Sequence, residues 1–276
     1  MIYVLGSRGR LGRAICASRP SGEVVALDRQ MYADWWRPDA GVSIGRFFEK
    51  AEPGSSVLIP AGLLDPALPG SEHHRINVQL PARIIEVACA MGLRVVTFGT
   101  VMEGLAAHPN PYIASKAELG RFVAERAELG CPVLHLQLHT LYGGGMPAPF
   151  MFLGQICDAL RESRPFDMSP GRQLREYHHV QDDVDAMHIL CADEAKGVVA
   201  LSHGEPVALR ALATGIFDAL ERTDLLRIGA RDEPPDDNYA TVMAPPPALA
   251  QFWFRPALQG VVTYVREVLA NSSDRR

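Results

Sequence analysis

Short apolar runs rich in β-branched residues recur through the first half of the chain: IYVL at 2–5, EVVALD at 23–28, SVLIP at 56–60, RVVTF at 94–98 and PVLHLQL at 132–138. Such runs read as buried strands. Between them lie longer stretches with helical spacing. Over 76–91, for example, Ile76, Leu80, Ile84, Val87 and Ala88 fall on one stripe. Strands alternating with helices predict an α/β fold, a Rossmann-like doubly wound parallel sheet with helices on both faces. The interval between the second and third runs leaves room for only a short strand near 41–44. After Leu141 the pattern changes. YGGGMPAPF, SRPFDMSPG and ARDEPPDDNYATVMAPPP are rich in Gly and Pro and break long regular elements. The expected organisation is a first domain over residues 1–141 and a smaller lobe over 142–276, with some strand exchange back to the first. Helices are expected near 151–162, 182–192, 208–221 and 257–269.

Composition narrows the classes of function. The chain has 276 residues, 47% of them hydrophobic, enough to bury a sizeable core. Its net charge of -5 comes from interspersed charges. No basic run or aromatic-basic alternation is suited to a phosphate backbone, so nucleic acid is not an expected partner. No apolar run reaches the roughly 18 residues of a membrane span, and no membrane association is expected. MIYVLGSRGR reads as a strand entering a glycine turn, not as a signal peptide. Cys16, Cys89, Cys131, Cys157 and Cys191 are scattered with no CxxC pair. A reducing cytoplasm is the expected compartment.

Two local patterns carry candidate chemistry. GSRGRLG places Gly6, Gly9 and Gly12 after the first strand and at the start of a helix. That is where a dinucleotide pyrophosphate approaches the backbone and meets the positive end of the helix. Asp28, at the end of the next strand, is placed to hold the adenosine ribose hydroxyls and favours NAD. Arg8 and Arg29 could instead pair with a 2′-phosphate, so NAD or NADP are both open, with NAD slightly favoured. In NPYIASK, Tyr112 and Lys116 lie four apart and share one helical face. A free tyrosine ionises near pH 10, and a neighbouring ammonium would lower that value toward useful proton exchange. The pairs His73/His74 and His178/His179 do not read as a metal site. Adjacent side chains point apart, and no carboxylate or cysteine falls at ligand spacing with either pair.

These patterns occur together in one family order. The chain resembles the extended short-chain dehydrogenase/reductases, the family of nucleotide-sugar epimerases, dehydratases and 4-keto reductases. GSRGRLG is similar to that family's glycine turn, and LIPAG to the end of its fourth strand, where Ala61 and Gly62 would pass beside the cofactor. FGTVMEG resembles the strand end that carries a catalytic serine or threonine. PYIASK resembles its YxxxK helix, and GRQLREYHHVQDDV its substrate-lobe segment. The resemblance implies that Tyr112 is the general acid/base and that Lys116 is both its electrostatic partner and a ligand of the nicotinamide ribose. Thr100 would donate a hydrogen bond to the reacting sugar oxygen, with Thr97 as a competitor whose side chain could face the core. Arg175 would pair with the substrate pyrophosphate, and Thr140 would touch the substrate. A nucleotide sugar is the implied partner, and a homodimer is compatible with the family.

The departures matter as much. Val101 and Met102 stand where dehydratases of the family carry an Asp-Glu pair, which removes the acid and base of water elimination. Glu103 stands where a tyrosine is common. Two oxidoreductase outcomes remain, 4-keto reduction and 4-epimerisation on retained NAD, because both need only Thr100, Tyr112, Lys116 and the hydride. The short chain and the compact second-strand region resemble the family's 4-keto reductases, and that resemblance favours the reductase. A non-catalytic NAD(P)-sensing regulator is the alternative of another class, and retention of all three residues argues against it.

Overall fold

The computed structural model describes residues 1–106, 109–235 and 237–273. The chain forms two compact units. One contains Met1–Leu138, Asp183–Leu201 and Pro246–Gln251, and the other His139–Asp182, Ser202–Pro245 and Phe252–Arg276.

The chain opens with β1 (Ile2–Leu5), α1 (Arg10–Ala17), β2 (Val24–Leu27), α2 (Gly41–Phe48) and β3 (Ser56–Ile59). Next come α3 (Gly70–His73), a π-helical segment (His74–Gln79) and α4 (Leu80–Ala90). β4 (Arg94–Thr100), α5 (Met102–Leu105), α6 (Pro111–Glu128) and β5 (Val133–Leu138) follow. The second unit starts with β6 (Thr140–Tyr142), α7 (Phe152–Arg161), β7 (Phe166–Met168), β8 (Leu174–Arg175) and β9 (Tyr177–His179). α8 (Val180–Ala192) leads to β10 (Gly197–Ala200), which belongs to the first unit. β11 (Val207–Ala208), α9 (Leu209–Ala219), β12 (Leu226–Ile228) and α10 (Ala257–Ser273) complete the order. The first unit closes at Leu138, slightly before the boundary expected after residue 141, and takes back 183–201 and 246–251.

In the first unit six strands form one parallel sheet in the order β10-β5-β4-β3-β1-β2. Tyr3 is in register with Val25 and Val57, Val96 with Leu134, and Leu136 with Val199. The five apolar runs read as strands all lie in this Rossmann-like sheet. Residues 41–44, where any strand had to be short, instead open α2. Ile44 and Phe48, one helical turn apart, are fully buried, which fits a helix stripe and not an alternating strand. The helix expected over 76–91 begins earlier, at Gly70, and its first turns run through the π-helical segment before α4.

Leu5, Leu27, Val57, Ile59, Ile84, Ile85, Val95 and Val133 meet in the core of this unit. Each large aliphatic buried there contributes about 1.5–3 kcal/mol relative to exposure. Tyr3, Trp35, Phe47 and Phe48 form an aromatic cluster, with Phe47 and Phe48 edge-to-face at 4.9 Å. Trp35 therefore packs into the core. Trp36 lies under the Arg37 and Arg75 guanidiniums, 5.6 and 5.5 Å from its ring.

In the second unit β6 pairs with β9 and β12 with β7, both parallel, and β11 pairs antiparallel with β8. Its core gathers Tyr142, Ile156, Phe166, Tyr177, Ile216, Phe217, Val261 and Val265 from α7, α9, α10 and the short strands. Among the described residues no helix is long and apolar enough to cross a membrane.

Candidate active site

In the first unit β1 sits between β3 and β2, so the chain order reverses at this point in the sheet. In open parallel sheets the carboxyl ends of strands at such a switch point form a ligand crevice. Gly6 follows β1 there with φ +85°, and a Cβ on it would lie 2.6 Å from the Ala61 backbone nitrogen. Only glycine lets the two strand ends close in this way. Ala61 N donates to Leu5 O at 3.0 Å, Gly9 N to Gly6 O at 3.0 Å, and α1 begins at Arg10 with Gly9 as its N-cap. Gly6, Arg8, Gly9, Arg29, Ala61 and Gly62 line one cavity of about 670 Å³ with Leu27, Tyr32 and Trp36. Gly12 acts from behind, since a Cβ there would meet Gly6 O at 2.1 Å. Asp28 accepts from Gln30 N at 3.0 Å and from Arg8 Nη2 at 2.6 Å. The two side chains expected to favour different cofactors are thus paired with each other, and Arg29 is exposed in the same turn.

Tyr112 and Lys116 occupy the first turns of α6. Asn110 caps that helix by accepting from Ile113 N at 2.9 Å, with Pro111 at its first position. Lys116 is buried and donates to Phe98 O at 2.7 Å. It also reaches Gly62, where a Cβ would lie 3.3 Å from Nζ. This places the lysine beside a residue of the cavity wall. Burial pulls Lys116 down from 10.5 to about 8, against the Glu103 carboxylate, which works to raise it. Tyr112 differs from expectation: its phenol is pushed above 10, first by burial and then by the charge of Glu103. Lys116 directs its hydrogen bond to a carbonyl of β4, and burial dominates the tyrosine.

Asn77, which sequence reading missed, ties these parts together. It accepts from Leu63 N at 2.8 Å and donates to Leu63 O and Ser115 Oγ, both at 3.0 Å, so it clamps the segment after β3 onto α6. His73 stands one turn before it, bonded to Asp65 O at 2.9 Å, its ring edge-on to Tyr112 at 6.3 Å. Asn77 lies in the π-helical segment, an irregularity often found at functional sites. No local sequence signal marks it.

Thr100 ends β4, and its Oγ1 accepts from Met102 N at 3.3 Å. Thr97 is buried against His135 Nδ1 at 2.8 Å, so it faces the core. Beneath this strand end lies a polar network that the sequence marked only as an odd residue. The Glu103 carboxylate accepts from Thr100 N at 2.6 Å and Gln137 Nε2 at 2.9 Å, and faces His135 Nε2 at 3.2 Å. Burial alone would raise Glu103, but His135, Gln137 and the Thr100 amide hold it below its ordinary value. Room for it comes from Gly99, whose Cβ would collide with Glu103 Oε1 at 1.9 Å and His135 Nε2 at 2.2 Å.

Thr140 and Arg175 belong to the second unit. Thr140 pairs with Tyr177 in register and donates its amide to Glu176 O at 3.2 Å. Arg175 forms a half-buried ion pair with Asp237 and donates to Leu174 O at 2.8 Å.

The NAD dependent epimerase/dehydratase family profile matches residues 2–201, most of the chain. The chain belongs to that family. No curated protein sequence matches it. Among solved structures it is similar to MoeE5 in complex with UDP-glucose and NAD (22% identity, 98% of this chain and 99% of that one, TM-score 0.76). It is similar to UDP-glucuronic acid 4-epimerase from Bacillus cereus with UDP-glucuronic acid and NAD (13%, 98% and 99%, TM-score 0.79). It also resembles DesIV, a dTDP-glucose 4,6-dehydratase from Streptomyces venezuelae with NAD bound (18%, 96% and 97%, TM-score 0.75). At these identities the likeness supports the fold, and it spans both units of this family member.

Proposed function

We propose that this family member is an NAD(P)-dependent oxidoreductase acting at C4 of a nucleotide-activated sugar. The observation that carries the reading is that Gly6 closes on Ala61 and Gly62 on Lys116 in the first unit, so that the cavity wall adjoins the helix that bears Tyr112. The glycine cradle and the cavity fit a nicotinamide dinucleotide, which when bound supplies or accepts hydride. Gly6 and Gly9 would hold its pyrophosphate, Asp28 its adenosine ribose and Lys116 its nicotinamide ribose. Tyr112 would exchange the proton of the sugar oxygen, and Thr100 would hydrogen-bond that oxygen. A phenol held above 10 is protonated at neutral pH, so Tyr112 is set to donate in ketone reduction, whereas oxidation of the sugar hydroxyl, the first half of an epimerisation, would need it as the phenolate. Arg175 and Thr140 would meet the nucleotide and the sugar.

Elimination of water is disfavoured. The loop after Thr100 carries one carboxylate, Glu103, and it is turned into the His135 network with 4% of its side chain exposed. Net 4-epimerisation on retained NAD draws support from the likeness to the Bacillus cereus 4-epimerase. Net 4-keto reduction needs the same residues. Protein purified in the absence of added cofactor is denatured and the released nucleotide identified, then fresh protein is mixed with NADH or NADPH and a panel of nucleotide 4-keto sugars. Retained NAD with inversion of a UDP-sugar supports the epimerase. Cofactor consumption that Tyr112→Phe abolishes supports the reductase. Cofactor binding with neither reaction across the panel overturns both and leaves the sensor.

A further inference from the structure

We propose that Glu176, His178, His203 and His139, all in the second unit, bind one divalent transition-metal cation of the zinc class. Sequence reading found no carboxylate at ligand spacing with either histidine pair, yet Glu176 stands two residues before His178 and meets it in the fold. The fold instead recruits partners from three separate segments: the residue before β6, the β8–β9 stretch and the residues after β10. His178 and His179 do point apart, as adjacent strand residues should, with His179 accepting from Gln181 N at 3.2 Å. His178 is turned inward and is wholly buried.

The spacing fits a metal. His178 Nε2 lies 3.0 Å from Glu176 Oε2, His203 Nδ1 3.6 Å from the same oxygen, and His139 Nε2 3.6 Å from Oε1. Ligand atoms of Glu176, His178 and His203 all fall within 4.8 Å of one another. A tetrahedral zinc with bonds of about 2.0–2.1 Å has ligand-to-ligand edges of roughly 3.4 Å. Small rotations of the His178 and His203 rings therefore reach it, while His139 approaches from the Oε1 side of the carboxylate and would complete the set by turning toward it.

Hydrogen bonding alone accounts for the cluster poorly. Glu176 already accepts from Ser202 Oγ at 2.6 Å and His203 N at 2.8 Å. With His178 added, about one acceptor site of the carboxylate is left for the two remaining imidazoles, His139 and His203. His139, 9% exposed, has its buried Nε2 without a hydrogen-bond partner among the described residues, although it faces Glu176. A buried nitrogen in that position calls for an explanation. Around the cluster are the parts expected of a supporting shell: Ser202 and the His203 amide fix the carboxylate, and Phe254 packs on His178 and His203 at 5.0 and 5.5 Å. His203 Nδ1 also accepts from Glu205 N at 3.0 Å, an exposed turn bond that coordination would replace. The cation would join the segments that bear Thr140 and Arg175, neighbours in sequence of His139 and Glu176.

The test is titration of cobalt(II) into the chelator-treated full chain. The expected result is intense tetrahedral d–d absorption that saturates at one equivalent and is displaced by zinc. His139→Gln and His178→Gln should each weaken cobalt affinity by about tenfold or more. Ser202→Ala keeps every ligand and should weaken it by about 10–100-fold with the bands retained. If His178→Gln does not fold, His139→Gln and Ser202→Ala decide. Absence of the bands overturns the proposal, and so do bands that persist at unchanged affinity in these variants, because the cobalt then sits elsewhere.

Discussion

Replacing Glu103 by Gln should destabilise the first unit by about 2.5–6 kcal/mol at neutral pH. The carboxylate is 4% exposed and uses its two oxygens on different donors, Oε1 on Thr100 N at 2.6 Å and Oε2 on Gln137 Nε2 at 2.9 Å. An amide keeps one oxygen and turns the other into a donor, so one of those bonds becomes donor against donor. Hydrogen bonds to a charged group contribute about 1.5–3 kcal/mol, and a buried unsatisfied donor costs about 1–3 kcal/mol more. The effect must also depend on pH. Glu103 is held below its ordinary 4.5 in the folded chain, so the stability it contributes is complete above that value and is lost as pH falls through the folded value. Urea unfolding of wild type and Glu103→Gln, followed from pH 7 down to acid, measures both features. The gap should be full at pH 7 and narrow below about 4.5. A gap under about 0.5 kcal/mol at pH 7, or one that stays constant into acid, would refute the reasoning.

Other outcomes follow from single contacts. Lys116→Met removes a charge that burial disfavours by roughly 3 kcal/mol, since it lowers this lysine from 10.5 to about 8. It also removes the donor to Phe98 O at a cost of about 1–3 kcal/mol, so stability at neutral pH should rise by at most about 2 kcal/mol. That penalty is complete below about 8 and is relieved as pH rises toward 10.5, so the advantage of Met in denaturant unfolding should fade across that window. Gly12→Ala drives a Cβ to 2.1 Å from Gly6 O and should weaken dinucleotide binding by calorimetry while costing about 1–3 kcal/mol of stability. Asp28→Ala removes the partner of Arg8 and should raise the affinity for NADP relative to NAD by about tenfold, measured by cofactor fluorescence. Equal affinities in variant and wild type would show that Asp28 has no part in the choice.

The central sheet was legible because its signals are local. IYVL, SVLIP and RVVTFGT are apolar on both faces, as strands of a covered parallel sheet must be, and the glycines of GSRGRLG mark a turn that no other residue can make. Asn110 and Pro111 announced α6, and helical spacing then put Tyr112 and Lys116 on one face. Residues 41–44 carry too few apolar positions to announce an element, and only packing of Ile44 and Phe48 into the core shows the helical period. The electrostatics were not legible. Spacing suggested that Lys116 lowers the Tyr112 phenol, yet burial and Glu103 raise it, since desolvation depends on everything packed around a group. Asn77 clamps two segments far from it in sequence, and Glu176 gathers histidines from 139, 178 and 203. The sequence by itself determined the strands, the glycine turn and the Tyr112 helix, because each depends on residues a few positions apart. The buried polar networks were decided by tertiary structure alone, because their energies come from exclusion of water and from partners that meet only when the chain has folded.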